Sequence, residues 1–235
     1  MQAHLGGKVS LRLIEDRALV ALQGPKAAEA MAKVAADALD MTFMTIRQID
    51  IAGIACLATR SGYTGEDGWE ISVPADRAEE LVQTLLALPD VMPAGLGARD
   101  SLRLEAGLCL YGSDIDTATT PVEANIAWIM NKRRRAEGGF PGAAIIQKQL
   151  ADGPARLRIG IQPLGRAPAR AHTEITDAAG TRLGEICSGG FGPSADRPIS
   201  MGYVPRAFAA IGTRLTLMVR GKPLDAEVTA LPFVP

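Results

Sequence analysis

Three cysteines and two histidines are all the thiols and imidazoles that this 235-residue chain offers to a zinc ion. Cys56, Cys109 and Cys187 are odd in number, far apart and without paired spacing. That excludes a disulfide framework and a zinc site, and points to reduced thiols in a reducing compartment. His4 and His172 do not complete a cluster with them, so no metal is expected. Long hydrophobic runs are missing as well: nothing approaches the ~20 apolar residues that span a bilayer. The opening Met1-Gln-Ala-His-Leu-Gly-Gly-Lys8 lacks the apolar core of a signal peptide. Neither sign of charge is in surplus, and a formal net charge of −1 leaves no field to hold nucleic acid or an anionic membrane. Internal repeats and low-complexity segments are absent too. A soluble protein of the cytoplasm is the expectation.

What is present is the composition of a globular protein, 47% apolar and 22% charged. The length suits one large domain or two ordinary ones, with a real core. Two textures divide the chain near residue 150. In the first, Ala18 to Leu22 reads as a short buried strand, and alanine-rich Lys26 to Ala38 carries helical periodicity. Ile49 to Thr59 reads as one strand interrupted by Gly53. Trp69 to Val73 alternates with period two, Trp69, Ile71 and Val73 facing one way and Glu70 and Ser72 the other. Asp76 with Glu79 looks like a capping box opening a helix whose stripe is Leu81, Val82, Leu85 and Leu86. This order predicts an α+β layer, helices on a mostly antiparallel sheet. From about Ala155, short strands follow one another between turn signals: Arg158 to Ile161, Thr181 to Cys187, Ile199 to Val204, Thr213 to Val219 and Ala226 to Leu231. That spacing predicts a small β-barrel or sandwich. Gln149 to Pro154 is the expected linker, which gives domains over 1–150 and 151–235.

Several polar residues stand out. Glu70 lies mid-strand on the face opposite the apolar set. It is either a solvent-facing carboxylate or one placed in a cleft, where an ionised carboxylate accepts two parallel N–H bonds. Gly95-Leu-Gly97 turns into a helix over about Ala98 to Ala106. Arg99 therefore sits in a first turn, where the helix dipole disfavours a cation. Either it pairs with Asp100, or its fork is placed there for a ligand, while Arg103 covers apolar surface with its stem. Gly95 to Asp100 half-matches a dinucleotide fingerprint and fails at its last glycine. Thr120-Pro121-Val122-Glu123 is a cap, a proline at the first helical position and a closing glutamate. Lys132-Arg-Arg-Arg135 is read as the end of that helix, where cations are favoured, as a solvated end or as a surface for an acidic partner. Arg158 is a strand-edge cation. The three cysteines read as inert packing residues.

Residues 95–128, from Gly95-Leu-Gly-Ala-Arg99-Asp100 through Cys109-Leu-Tyr111-Gly, Ser113-Asp114-Ile-Asp116 and Thr120-Pro121-Val-Glu123 to Trp128, form one constellation. Together with Arg60-Ser-Gly-Tyr63-Thr-Gly-Glu66-Asp67-Gly-Trp69-Glu70, it resembles the T-protein (aminomethyltransferase) family of the glycine cleavage system. The resemblance runs from about Leu19 to the last residue. It implies folate-binding α+β layers over 1–150, with a mostly antiparallel sheet, and an antiparallel β-barrel over 151–235. It also implies transfer of a one-carbon unit from the aminomethyl-dihydrolipoyl arm of lipoylated H-protein to tetrahydrofolate, with release of ammonia. By the same resemblance Glu70 matches the glutamate that binds the pterin, Arg99 a folate-binding arginine, and Arg158 an arginine of the active-site region, which makes all three expected folate-binding residues.

The family places a charge-balancing aspartate in an Asp-Asp motif of its N-terminal part. This sequence has no Asp-Asp pair and starts at a segment that follows that motif in the family. The expectation is a C-terminal portion with no catalytic residue of its own, inactive alone. Two other classes compete. One is a non-catalytic folate-binding module that assists iron–sulfur assembly, whose cysteine motif is missing from the matching Gly138 to Ile146. The other is a folate domain cut from a dimethylglycine or sarcosine oxidase, which the 99–128 stretch fits less well.

Overall fold

The computed structural model describes residues 6, 7 and 9–234. His4, most of the opening segment and Pro235 lie outside the described residues. The chain divides into two compact units, Met1–Ala94 and Gly95–Pro235.

The first unit is a four-stranded antiparallel sheet with two helices. Its strands are β1 (Arg17–Gln23), β2 (Ile46–Ile51), β3 (Ile54–Thr59) and β4 (Gly68–Pro74), in the order β1-β4-β3-β2. Helix α1 (Ala27–Val34) follows β1 and α2 (Ala78–Leu86) follows β4. The alternation along β4 holds: Trp69, Ile71 and Val73 are fully buried, while Glu70 and Ser72 are half-buried on the other face. The inward residues join Met31, Ile51, Ile54 and Leu81 in one core, each large side chain contributing roughly 1.5–3 kcal/mol of burial.

Two expectations here are corrected. Ile49 to Thr59 is a hairpin rather than one strand, with Ala52 and Gly53 both at positive φ (51° and 81°). Such a two-residue reversal matches the twist of the strands it joins. It leaves Ile51 and Ile54, its flanking residues, both in the core. The capping box at Asp76 does not form. A 3-10 turn over Ala75–Arg77 leads into α2, and Arg77 pairs with Glu80 at 2.6 Å instead.

The second unit opens with α3 (Leu96–Glu105), then the short α4 (Lys132–Glu137) and α5 (Ala143–Asp152). A closed antiparallel barrel follows, built from β5 (Arg156–Pro163), β6 (Glu174–Thr176), β7 (Arg182–Gly192), β8 (Arg197–Pro205), β9 (Arg214–Val219) and β10 (Lys222–Thr229). Its strand order is β10-β5-β8-β7-β6-β9, with β9 pairing back to β10. The three-residue β6 is too short to show a period, and only its pairing with β7 and β9 identifies it. Closure leaves the barrel no free edge. Its interior is filled by Ile159, Ile161, Ile175, Ile186, Val204, Leu217 and Val228. A second cluster on β8, Ile199 and Met201 with Leu104 of α3 and Phe233, packs the helix against the barrel.

The segment between α3 and the barrel also departs from expectation. The Thr120–Glu123 box forms reciprocally: the Thr120 amide donates to Glu123 Oε2 at 3.0 Å and the Glu123 amide to Thr120 Oγ1 at 3.1 Å. It caps a single turn, however, because Asn125 enters the left-handed region at φ 56° and stops it. Lys132 to Arg135 consequently open their own helix, capped by Asn131 through the Arg133 amide, rather than ending the earlier one. Residues 149–152, expected as linker, form the last turn of α5. The compact units part at Ala94/Gly95, because α3 is buried against the barrel through Leu104 and belongs with it. An organisation into 1–150 and 151–235 stays a proposal about sequence domains.

Among the described residues no helix is long and apolar enough to cross a membrane. No group of three or more His, Cys, Asp or Glu there could hold a metal ion.

Candidate functional site

In the first unit the candidate residue Glu70 stands on the outer face of β4, level with Ala21 of β1 and Thr59 of β3. Its Oε2 accepts from Ser61 Oγ at 2.8 Å, and Ser61 Oγ lies 2.9 Å from Thr59 Oγ1. The loop joining β3 to β4 supports this arrangement. Arg60 grips Asp67 with two bonds, Nε to Oδ1 at 3.0 Å and Nη2 to Oδ2 at 2.6 Å. It also donates to the carbonyls of Leu39 and Met41 and lies 4.8 Å from the centroid of the Trp69 ring. The hydrogen bond from Arg60 holds the Asp67 carboxyl below its ordinary range and raises the guanidinium in turn. Gln23 fills the space beneath, donating to the Ser61 carbonyl at 2.9 Å and accepting from Thr64 Oγ1 at 3.1 Å. Its side chain comes so close to Gly62 and Gly68 that a Cβ at either would overlap it. The Arg60-to-Glu70 run is thus a braced loop that presents one carboxylate on a sheet face. A half-buried carboxylate held by a hydroxyl can take a donor pair from a ligand.

In the second unit Arg99 lies in the exposed first half of α3, as expected. The same helix ends in three buried residues, Arg103, Leu104 and Glu105, each 3% exposed. Arg103 does not merely cover apolar surface. Its Nη1 donates to Asp114 Oδ2 at 2.8 Å, and its Nε and Nη2 reach Asp100 Oδ1 at 2.9 and 2.7 Å. Asp114 is the centre of a polar network that sequence reasoning missed. Its Oδ2 also accepts from the Leu110 amide and Ser188 Oγ, both at 2.8 Å, and its Oδ1 from Cys187 Sγ at 2.7 Å. Tyr203 donates to the Asp114 carbonyl at 2.8 Å. Burial, with Asp114 beside it, pushes the Cys187 thiol well above its usual range. Burial likewise raises Cys56 and Cys109. Cys187 is therefore a donor within a network as well as a residue packed against the Leu104, Ile199 and Met201 cluster. Glu105 Oε1 accepts from the amides of Ser194 and Ala195 at 2.7 and 2.9 Å.

Arg158 is 2% exposed on the outer face of β5. Its Nε donates to the Ala124 carbonyl at 2.8 Å, and its Nη1 to the Gly107 carbonyl at 3.0 Å and to Met201 Sδ at 2.6 Å. It ties the end of α3 and the 120–125 turn to the barrel. Arg156, two residues earlier, is exposed; it meets Glu123 at 3.3 Å and covers the Tyr203 ring. Within the second unit, then, Arg99 and Arg158 occupy different settings, an exposed helix start and a buried strut beneath the same helix's end. The signal for Asp114 in the sequence was only its place in the Ser113-Asp114-Ile-Asp116 loop.

Comparison with known proteins is consistent along the chain. Residues 1–134 match the family model described as the GCVT N-terminal domain, and residues 156–235 match the glycine cleavage T-protein C-terminal barrel domain. The mitochondrial aminomethyltransferase of Flaveria trinervia is 51% identical over 98% of this chain and 57% of its own length. That of Gallus gallus is 50% identical over 98% of this chain and 59% of its own length. The crystal structure of the glycine cleavage system aminomethyltransferase T from Bartonella henselae superposes with a TM-score of 0.85 at 45% identity. The match covers 93% of this chain and 60% of that one. The chain therefore spans a little under three fifths of the curated relatives. With both family models matched in order, and the open sheet and closed barrel in place, the chain belongs to the T-protein (aminomethyltransferase) family of the glycine cleavage system.

Proposed function

We propose that this chain supplies folate recognition to a tetrahydrofolate-dependent aminomethyltransferase. The donor is the aminomethyl-dihydrolipoyl arm of lipoylated H-protein, and the products are methylene-tetrahydrofolate and ammonia. The observation that carries the reading is Glu70, a carboxylate on an outer sheet face, oriented by Ser61 and braced by the Arg60–Asp67 loop. A pterin edge offers an amino group beside a ring N–H, the donor pair that one carboxylate accepts. Arg99 contributes a cationic fork for folate acceptors. Arg158, its Nε and Nη1 engaged by carbonyls and a thioether, acts by holding the backbone rather than by touching the ligand.

The reacting carbon needs a group to balance the charge that develops on it, and a wall to exclude water and align the donor. We assign neither to residues of this chain, and the chain alone is inactive on this reading. Ammonia release from loaded carrier protein is the assay, run with and without the complementary N-terminal portion of a family member. Equal turnover in the two mixtures would place the chemistry within these 235 residues and overturn the reading. For recognition itself, Glu70→Gln turns one acceptor into a donor facing a donor. It should weaken binding of 5-formyltetrahydrofolate, a stable reduced folate, by about 1–3 kcal/mol with little change in melting temperature. Lost stability with unchanged affinity would make Glu70 a structural residue.

A further inference from the structure

We propose that Asp114 is a positioning residue for Arg99, acting through Arg103 and the buried end of α3; this rests on the folate reading of Arg99. The helix is buried at one end. Residues 96–100 are exposed, whereas Arg103, Leu104 and Glu105 are each 3% exposed. Leu104 is held by apolar packing on Ile199, Met201 and Phe233, and Glu105 by two amides of the β7–β8 turn. Packing of one leucine leaves rotation about the helix axis soft. Directed bonds to side chains do not: Glu105 makes two at the last residue of the helix, and a third is made one turn from Arg99.

Arg103 supplies that bond. It stands four residues after Arg99, so the two project from nearly one face, one turn apart. Rotating α3 to move Arg99 would drag the Arg103 guanidinium off its acceptors. Of those acceptors, Asp100 has a side chain 61% exposed and moves with the helix, so it fixes nothing outside it. The Asp114 side chain is 0% exposed and belongs to another segment. It is itself immobilised by the Leu110 amide, Ser188 Oγ and Cys187 Sγ, donors from the 107–114 loop and from β7. One carboxylate thus locks a helix, a loop and a barrel strand together. The Leu110 bond also fixes the backbone that presents Tyr111, which is 68% exposed.

The test compares the full chain with Asp114→Asn, Arg99→Met, both together, and the apolar pair Arg103→Met with Asp114→Leu. Two quantities are read: affinity for 5-formyltetrahydrofolate, and amide hydrogen exchange of residues 96–114, with β9 and β10 as the internal reference. Asp114→Asn should lower affinity about tenfold, a coupling of the size found within one hydrogen-bonded network. It should cost nothing further once Arg99 is Met. Exchange over 96–114 should accelerate while β9 and β10 keep their protection. If Asp114→Asn does not fold, the apolar pair removes the buried charges together and reads the same two quantities. An equal affinity loss with and without Arg99 would show a general structural effect and overturn the proposal, as would unchanged exchange over α3. Should Glu70→Gln and Arg99→Met both bind as wild type does, the folate reading falls by itself. The exchange measurement still decides whether Asp114 holds α3.

Discussion

Each unit of this chain carries an arginine–aspartate pair next to a candidate folate residue, and the two pairs differ in depth. Arg60–Asp67 bridges a hairpin loop with side chains 22% and 39% exposed. Arg103–Asp114 joins a helix to a loop with side chains 4% and 0% exposed. The first is bidentate and close, yet water screens it and can replace either partner, so its worth is that of a surface pair, about 0–1 kcal/mol. The second has given up its hydration, and only its remaining hydrogen bonds offset that cost. The same chemistry therefore trims a loop in one place and fixes an architecture in the other.

The largest expected effect tests that contrast directly. Asp114→Ala leaves a buried guanidinium without its buried counter-charge and should cost about 3–5 kcal/mol in denaturant unfolding. Arg103→Met with Asp114→Leu should recover the part of that loss due to the unpaired charge, while the Leu110 amide and Ser188 hydroxyl stay unpaired. A loss below about 1 kcal/mol for Asp114→Ala would place the two pairs in one class. An intermediate effect is expected at Thr120, whose hydroxyl caps one turn beside Arg158. Thr120→Ala should cost about 1 kcal/mol, read from the same unfolding curves.

Asp67→Asn is expected to give the smallest change, under about 1 kcal/mol at neutral pH after allowance for exposure. Its pH dependence has a definite sign. Asp67 titrates lower in the folded chain than its ordinary 3.8, chiefly through the Arg60 hydrogen bond. Its contribution is thus fully present well above pH 3.8 and is lost as pH falls through the folded value. The stability difference between wild type and Asp67→Asn should accordingly shrink in acid. A difference that grew below pH 4 would contradict the pairing. Limited proteolysis sharpens the comparison at chain level. The sequence-domain proposal expects the first cut within 149–156, and the compact units expect it near Ala94/Gly95.

Legibility differed between the same two regions. Glu70 could be placed from the alternation of Trp69, Ile71 and Val73 alone, because a strand's faces follow from its period. The Ile49–Thr59 hairpin was misread, since an Ala52-Gly53 reversal looks like a continuing β-branched run until both residues are seen at positive φ. The helix expected after Thr120 carried every start signal and still stopped after one turn at Asn125. Start signals satisfy the first amides; they do not guarantee an apolar face for later turns to bury.

What the sequence determined by itself was local and periodic: the α+β layer, the run of short strands in the second half, and the helix start that carries Arg99. Its resemblance to the T-protein family followed from contiguous stretches of the same kind. Only the tertiary structure decided that Asp114 is buried, that Cys187 is its donor, and that Arg158 is a strut for Gly107 and Ala124. Those bonds join residues 34 to 74 positions apart. Hydrogen bonds across such separations leave no period in the chain. They exist because closing the barrel and seating α3 on it removed the water that would otherwise have satisfied the same groups.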